Sequence, residues 1–192
     1  MIEIYFGSPG CGKTTILAQL AHKYKKKYKY IYSNCEDLLN ARYIPPEKLN
    51  DLGNITLPEY SLLLIDEAGI EFNNRNYKGL PKNLIYYAKM HRHYRVDIIM
   101  FSQSYVDMDV TFRRLANTFY RVKRCGPFSF SRRIRPFLHI DEEKKEIVDG
   151  YEFYPFFRSI ISFVKPFNLC YRPRYYKYFD SWSRIELPIF YS

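Results

Sequence analysis

The sequence lacks the features that mark membrane-spanning and secreted proteins. No uninterrupted apolar stretch reaches about 18 residues, the length that a membrane-spanning helix needs. The nearest candidate, residues 156–167, is interrupted by Arg158 and Lys165. The first apolar run leads directly into a glycine-rich loop, so no secretory signal is predicted. With no repeats or low-complexity tracts either, we expect a globular cytoplasmic protein without a transmembrane segment.

Cysteine is scarce and scattered. The four cysteines, Cys11, Cys35, Cys125 and Cys170, form none of the closely spaced pairs that structural zinc sites need. Free thiols are therefore the expected state. Oxidation of Cys11, which lies within the glycine-rich loop, is the alternative that stays open.

Acidic residues are outnumbered, since 20 Asp and Glu oppose 30 Lys and Arg and leave a net charge of +10. Such an excess favours a polyanionic partner, either nucleic acid or an acidic membrane face. Tyrosines interleave with the basic clusters, as is typical where bases stack. For the first cluster, solvated lysines at the end of a predicted helix are an equal alternative. The clusters are residues 23–29, 121–124, 132–135 and 172–177.

The sequence does contain the phosphate-binding pattern GxxxxGK[ST], in the stretch GSPGCGKTT at residues 7–15. Glycines let successive backbone N–H groups face the phosphates, Lys13 would reach the β- and γ-phosphates, and the Thr14 hydroxyl would ligate Mg²⁺. A short β-like run precedes the loop and apolar residues at helical spacing follow it. The predicted nucleotide-binding residues are Gly7, Gly10, Cys11, Gly12, Lys13, Thr14 and Thr15.

A second motif supplies the acid that such a loop requires. Residues 62–65 are all apolar, which predicts a buried parallel strand, and they end in Asp66 and Glu67. This is a Walker B pattern, in which Asp66 would hold Mg²⁺ and Glu67 would polarise the attacking water as general base.

A third motif is the apolar run 96–101, which ends in Ser102 and Gln103. In a three-layer α/β fold this strand would lie between the two Walker strands. Gln103 would then orient water or sense the γ-phosphate, with a capping role in a loop as the alternative.

Two basic stretches flank this strand. His91 and His93 are spaced too closely for a zinc helix, so a cationic patch facing DNA or a neighbouring subunit is the preferred interpretation. After the strand, apolar residues up to Phe119 predict one helical face, which leaves Arg113 and Arg114 exposed. Either arginine would be a candidate arginine finger acting across a ring interface.

The character of the sequence changes after Arg124. Asp149-Gly150 predicts a hairpin turn between apolar arms, and proline and aromatics dominate the remainder. We therefore predict a P-loop core over residues 1–125 and an aromatic-rich β appendage over residues 126–192, packed on the core.

The stretches GSPGCGKTT, LLLIDEAG, MHRHYRVDIIMFSQS and RRLANTFYRVKR together resemble the ATPase domain of the zonular occludens toxin (Zot) family, which includes the assembly ATPases of filamentous phages. The resemblance covers about residues 1–182 and implies a RecA-like core related to the FtsK and HerA DNA motors. It also implies the roles given above for Lys13, Thr14, Asp66, Glu67 and Gln103, and it suggests a hexameric ring. Family members of the phage type continue into a transmembrane helix and an external domain that are not found here. Two alternatives are therefore expected: a separate membrane or coat partner, or a soluble genome-packaging or DNA-transfer motor.

These observations predict an α/β protein with a mainly parallel sheet flanked by helices and a small C-terminal β-rich appendage. The predicted function is a Mg²⁺-dependent ATPase that moves viral or plasmid DNA in packaging, virion assembly or extrusion, or DNA transfer. ATP is preferred because no GTPase-type NKxD sequence is present. A nucleotide-dependent scaffold with little turnover and a small-molecule kinase are the alternatives.

Overall fold

The structure is a computed structural model. It describes the backbone of residues 1–68, 81–141, 146–153 and 167–179, and the side chains of all of these except 136–141 and 146–151.

A parallel sheet forms the centre of the molecule, in the order β3-β2-β4-β5-β1-β6, and every neighbouring pair in it is parallel. All residues of β1 and β4 are buried because helices cover both faces of the sheet. Strand β5 lies between β1 and β4, as the sequence predicts. The strands are β1 (Ile2–Phe6), β2 (Tyr30–Ser33), β3 (Arg42–Tyr43), β4 (Ser61–Ile65), β5 (Val96–Ser102) and β6 (Thr118–Cys125).

Antiparallel strands extend this sheet beyond β6. They are β7 (Phe128–Asp141), β8 (Glu146–Phe153) and β9 (Phe167–Tyr171), and both β8 and β9 pair with β7. The predicted boundary after residue 125 falls in the turn that joins β6 to β7, where parallel pairing gives way to antiparallel pairing. The predicted core and appendage therefore share one sheet.

The predicted hairpin turn at Asp149-Gly150 is wrong. Both residues lie within β8, where Asp149 pairs with Leu138 and Gly150 with Phe137 of β7. The local turn preference is overridden because the whole of β8 pairs with the long strand β7, so its two arms do not pair with each other. Predictions that rest on residues 154–166 and 180–192 fall outside the described residues.

Helices cover the two faces of the sheet. Helix α1 and the 3₁₀ helix η1 pack on one face, and residues of α2, α3 and α4 join the core on the other. None of the helices that the structure describes has both the length and the apolar character to span a bilayer. The helices are α1 (Lys13–Tyr24), α2 (Pro46–Asn50), α3 (Lys82–Met90), α4 (Val110–Leu115) and η1 (Arg172–Tyr178).

The helix predicted to run to Phe119 is shorter than expected. It begins at Val110, where the Asp109 carboxylate accepts a hydrogen bond from the Thr111 N–H, and it ends at Leu115. Ala116 is already extended, and Phe119 belongs to β6, where it pairs with Ile4 of β1. Pairing with the central strand therefore overrides the helical spacing of the apolar residues.

Candidate functional site

The phosphate loop, residues 7–12, joins the carboxyl end of β1 to the start of α1. Its shape requires glycine at both ends. A Cβ on Gly7 would lie 2.5 Å from the carbonyl oxygen of Val122, and Gly12 has a left-handed φ of 91°. The loop is thus packed against β6 on one side while its tip, residues 8–10, stays exposed. Free backbone N–H groups at such a turn form an anion site.

Lys13 is enclosed by this loop. Its ammonium donates to the carbonyl oxygens of Gly7 at 2.9 Å and Ser8 at 3.4 Å, and only 6% of the residue is exposed. The positive charge is therefore held within the arc of the loop, where the sequence places the phosphates.

Thr14 and Asp66 meet across the carboxyl ends of β1 and β4. The Thr14 hydroxyl donates to Asp66 Oδ2 at 2.8 Å. Burial raises the pKa of Asp66, while the hydrogen bond from Thr14 and the charge of Lys13 oppose that rise. A buried carboxylate of this kind favours a bound cation.

The two oxygen ligands fit the predicted Mg²⁺. A hydroxyl and a carboxylate are the hard donors that Mg²⁺ prefers, and it commonly takes one or two protein ligands together with substrate phosphates. Among the described residues, no group of three or more His, Cys, Asp or Glu side chains forms a metal cluster. The ion would therefore be held by Thr14 and Asp66 together with the nucleotide.

Glu67 and Gln103 also come together, one strand apart. Gln103 Nε2 donates to Glu67 Oε2 at 3.2 Å, so the amide orients the carboxylate. Glu67 has a φ of 48°, a left-handed conformation that costs a non-glycine residue about 1–2 kcal/mol. Such strain commonly accompanies functional side chains. The structure thus brings together five of the residues to which the sequence assigns catalysis or Mg²⁺ binding, and the two arginine-finger candidates are not among them: Lys13, Thr14, Asp66, Glu67 and Gln103.

Asn34, which follows β2, is a residue of this site that the sequence does not reveal. Its Nδ2 donates to the carbonyl oxygen of Asp66 at 2.9 Å, and its Oδ1 accepts from the Asp66 N–H at 2.8 Å. Both backbone groups of Asp66 are therefore fixed by one amide. No motif marks Asn34, because only the pairing of β2 with β4 brings it there.

The cysteines are free thiols, as predicted. Cys35 lies beside the site, and burial, reinforced by the charge of Asp66, raises its pKa to about 12. Burial also raises the pKa of Cys11 within the phosphate loop, which lowers the reactivity of that thiol at neutral pH.

The C-terminal strands form a wall that packs against the phosphate loop and the start of α1. The hydroxyl of Ser129 in β7 donates to the carbonyl oxygen of Cys11 at 2.9 Å, and Cys170 Sγ in β9 lies 3.8 Å from the carbonyl oxygen of Thr15. A Cβ on Gly12 would lie 2.0 Å from Ser129 Oγ and 3.2 Å from Arg172 Nε. The sequence predicts an appendage packed on the core, but it does not predict that this appendage contacts the phosphate loop, although Arg172 belongs to one of the basic clusters.

An open cleft of about 700 Å³ adjoins the loop. Its walls are residues 6–11 of the loop, residues 103–106 after β5 and residues 121–124 of β6. Gln103 lies in this wall, beside three basic side chains and no acidic one. The cleft is suited to a polyanion adjoining the phosphate site.

The predicted arginine-finger candidates differ in their surroundings. The Arg113 guanidinium lies 4.9 Å from the centre of the Tyr105 ring of its own chain, whereas Arg114 is exposed. His91 does not belong to a cationic patch, because it is buried, its Nδ1 lies 2.8 Å from the carbonyl oxygen of Ala88, and burial lowers its pKa. His93 is exposed.

Comparison with known families identifies the domain. The AAA_14 model, described as an AAA domain, matches residues 2–130 and thus spans β1 to β6, with the phosphate loop and the Asp66 strand. The chain belongs to this AAA family. The match to the AAA domain ends within β7, so the rest of β7 and β8, β9 and η1 lie outside it.

Solved structures share the fold of this AAA domain at low sequence identity. The N-terminal domain of zonular occludens toxin from Neisseria meningitidis matches with a TM-score of 0.56 and 17% identity, covering 84% of this chain and 96% of its own. The genome packaging NTPase B204 of Sulfolobus turreted icosahedral virus 2, in complex with AMPPCP, gives 0.53 and 12%, covering 78% and 96%. The flagellar accessory protein FlaH of Methanocaldococcus jannaschii gives 0.50 and 12%, covering 80% and 89%.

The fold predicted from the Zot resemblance, a RecA-like P-loop NTPase with a mainly parallel sheet, is confirmed. No curated protein sequence matches the chain.

Proposed function

We propose that this AAA domain is a Mg²⁺-dependent ATPase motor that acts on viral or plasmid DNA during packaging, virion assembly or transfer. The observation that carries the proposal is the Glu67–Gln103 pair beside the Thr14–Asp66 pair. A protein that only binds nucleotide needs the loop and a metal ligand but no oriented carboxylate beyond them.

Binding begins at the phosphate loop. Its N–H groups and the end of α1 attract the phosphates, and the ammonium of Lys13 adds a positive charge to the β- and γ-phosphates. Thr14 and Asp66 would hold Mg²⁺, which would supply further neutralisation of the phosphate charge. The polar groups are fixed before the reaction, so little reorganisation is needed.

Hydrolysis then depends on Glu67. Because Gln103 occupies Oε2, Glu67 Oε1 is left to accept the proton of the attacking water. The water oxygen bonds to the γ-phosphorus as the bond to the bridging oxygen breaks, and ADP and phosphate leave. General base catalysis of this kind contributes about 10²–10⁴-fold to the rate.

The charge of the chain supports DNA as the partner. The net charge is +10, and the cleft beside the phosphate loop carries three basic side chains. Several lysines of the cluster 23–29 lie over tyrosine rings at the end of α1, with Lys27 Nζ 4.8 Å from the Tyr28 ring centre. Exposed cations next to aromatic faces suit a nucleic-acid backbone with stacked bases.

A ring of subunits completes the proposal. Exposed Arg114 is then the arginine finger offered to the neighbouring subunit, in preference to Arg113, which already stacks on Tyr105. The motor works in the cytoplasm, and a separate coat or membrane protein links it to the virion or the exit site.

The test measures phosphate release with Mg²⁺ and ATP, alone and with single- or double-stranded DNA at several salt concentrations. Glu67→Gln should keep ATP binding and reduce turnover at least about 100-fold, because the base is lost and the fold is kept. Glu47→Gln, at an exposed position in α2, is the matched control and should keep full turnover.

Stimulation by DNA that fades as salt rises would support the motor and identify its substrate. ATP binding without turnover under every condition would overturn the proposal in favour of the scaffold. Unchanged turnover in Glu67→Gln would remove Glu67 from the mechanism.

A further inference from the structure

Arg172 lies at the phosphate loop, and its side chain is half-buried there. Its Nε is buried and donates no hydrogen bond to any described residue. The same atom lies 3.2 Å from the position that a Cβ on Gly12 would occupy, so it touches the loop immediately before Lys13. The backbone is fixed there, since the Arg172 N–H donates to the carbonyl oxygen of Pro127 at 3.0 Å.

A buried Nε–H group without an acceptor is costly. Buried polar groups are nearly always hydrogen-bonded, and removing a charged donor from water without a partner is penalised more than for a neutral one. The neighbourhood does not compensate for this cost. Neither ion pair among the described residues involves Arg172, and its guanidinium lies 5.8 Å from the Tyr176 ring centre, near the limit for a cation–π contact.

The presence of a second cation at this loop also needs an explanation. Lys13 already places an ammonium inside the same short loop. Two cations bordering one loop repel each other in the absence of an anion and become favourable when a polyanion lies between them. Arginine, with five donors in a planar fork, is the residue best suited to phosphate oxygens.

We propose that Arg172 is a nucleotide-binding residue that contacts the polyphosphate of a nucleoside di- or triphosphate from within the same chain. This inference rests on the proposed function, because it assumes that the phosphate loop holds a nucleotide. It assigns a task to η1, which lies outside the matched AAA domain: the C-terminal segment completes the phosphate site.

The experiment is a titration with a fluorescent ADP analogue, followed by displacement with unlabelled ADP and with inorganic tripolyphosphate, which has neither base nor ribose. Arg172→Gln removes the charge and keeps the length of the side chain. Arg174→Gln is the matched control, because Arg174 is an exposed arginine of the same 3₁₀ helix. Arg172→Lys keeps the charge without the planar fork.

We expect Arg172→Gln to weaken ADP and tripolyphosphate by the same factor, about tenfold or more, since a charge-assisted contact is lost. Arg172→Lys should be intermediate and Arg174→Gln unchanged. Without ligand, Arg172→Gln should unfold at the same temperature as wild type or slightly above it, because the variant removes an unpartnered buried donor and no hydrogen bond to a described residue. Arg174→Gln should unfold like wild type.

Equal binding of both ligands by wild type and Arg172→Gln would overturn this inference and leave the proposed function standing. A loss confined to ADP would also overturn it, because the contact would then be to the base or the ribose. Absence of binding by the wild type would overturn the proposed function and this inference together.

Discussion

The parallel and antiparallel parts of the sheet serve the phosphate site in different ways. Charged and polar side chains follow the carboxyl ends of β1, β4 and β5, and these groups lie beside the phosphate loop. Strands β7 and β9 contribute a hydroxyl and a thiol and lead into η1, and all three contact the loop or the first turn of α1. The residues predicted to carry out the chemistry belong to recognisable sequence motifs. The residues that pack against those motifs belong to a distant part of the chain that has no such motif.

The largest effect is expected from a substitution where the antiparallel part of the sheet contacts the phosphate loop. Gly12→Ala would place a methyl group 2.0 Å from Ser129 Oγ at a residue whose φ is 91°. We expect the free energy of unfolding to fall by about 3 kcal/mol, from overpacking and left-handed strain together. Nucleotide binding should be lost as well. Chemical denaturation and ADP titration measure the two effects.

Two further variants separate the effect of overpacking from the effect of left-handed backbone strain. Gly10→Ala is the control, since φ is 73° but nothing lies within 4 Å of the added Cβ, so only the strain remains. Combining Gly12→Ala with Ser129→Gly should restore part of the stability by removing the clash. If the double variant is no more stable than Gly12→Ala, the contact with Ser129 is not the cause of the lost stability.

A substitution confined to the parallel part should have the next largest effect. Asn34→Ala removes both hydrogen bonds to the backbone of Asp66 and should lower the free energy of unfolding by about 2 kcal/mol, because two buried groups lose their partner. Asn50→Ala, at the end of α2, is the control. A cost equal to that of the control, measured by denaturant unfolding, would show that Asn34 does not fix Asp66.

The smallest effect is expected within the antiparallel part, where β7 offers a matched pair. Ser129→Ala removes the hydrogen bond to the Cys11 carbonyl and should cost about 1 kcal/mol. Ser131 is equally buried on the same strand, but its hydroxyl has no described partner, so Ser131→Ala should be neutral or slightly stabilising. Equal costs for the two variants, by the same unfolding measurement, would contradict a supporting role for Ser129.

The charged and polar groups of the site could be predicted because parallel strands bring their carboxyl ends to one edge of the sheet. Once the apolar runs before Asp66 and Gln103 are read as neighbouring strands, these residues must meet near the loop that holds Lys13. The predicted α1 also follows from apolar spacing alone, since its buried residues repeat as a helix requires.

The rest could not be predicted because it depends on pairing between distant segments. Arg172 and Ser129 reach the loop only through β7 and β9, whose register no local pattern specifies. The error at Asp149-Gly150 has the same origin, since the partner of that segment lies outside any short window of sequence. Asn34 needs the adjacency of β2 and β4, which the sequence leaves open.

The contacts between the C-terminal wall and the phosphate loop form late during synthesis of the chain. Its contacts join residues 118 positions apart for Ser129 and Cys11 and 155 positions apart for Cys170 and Thr15. A ribosome releases the amino-terminal part first, at about 5–20 residues per second, so GSPGCGKTT emerges seconds before the segment that backs it. In a nascent chain the phosphate-loop motif is therefore present before the strands that pack against it. We therefore expect a product truncated before β7 to carry the motif without the contacts that support it.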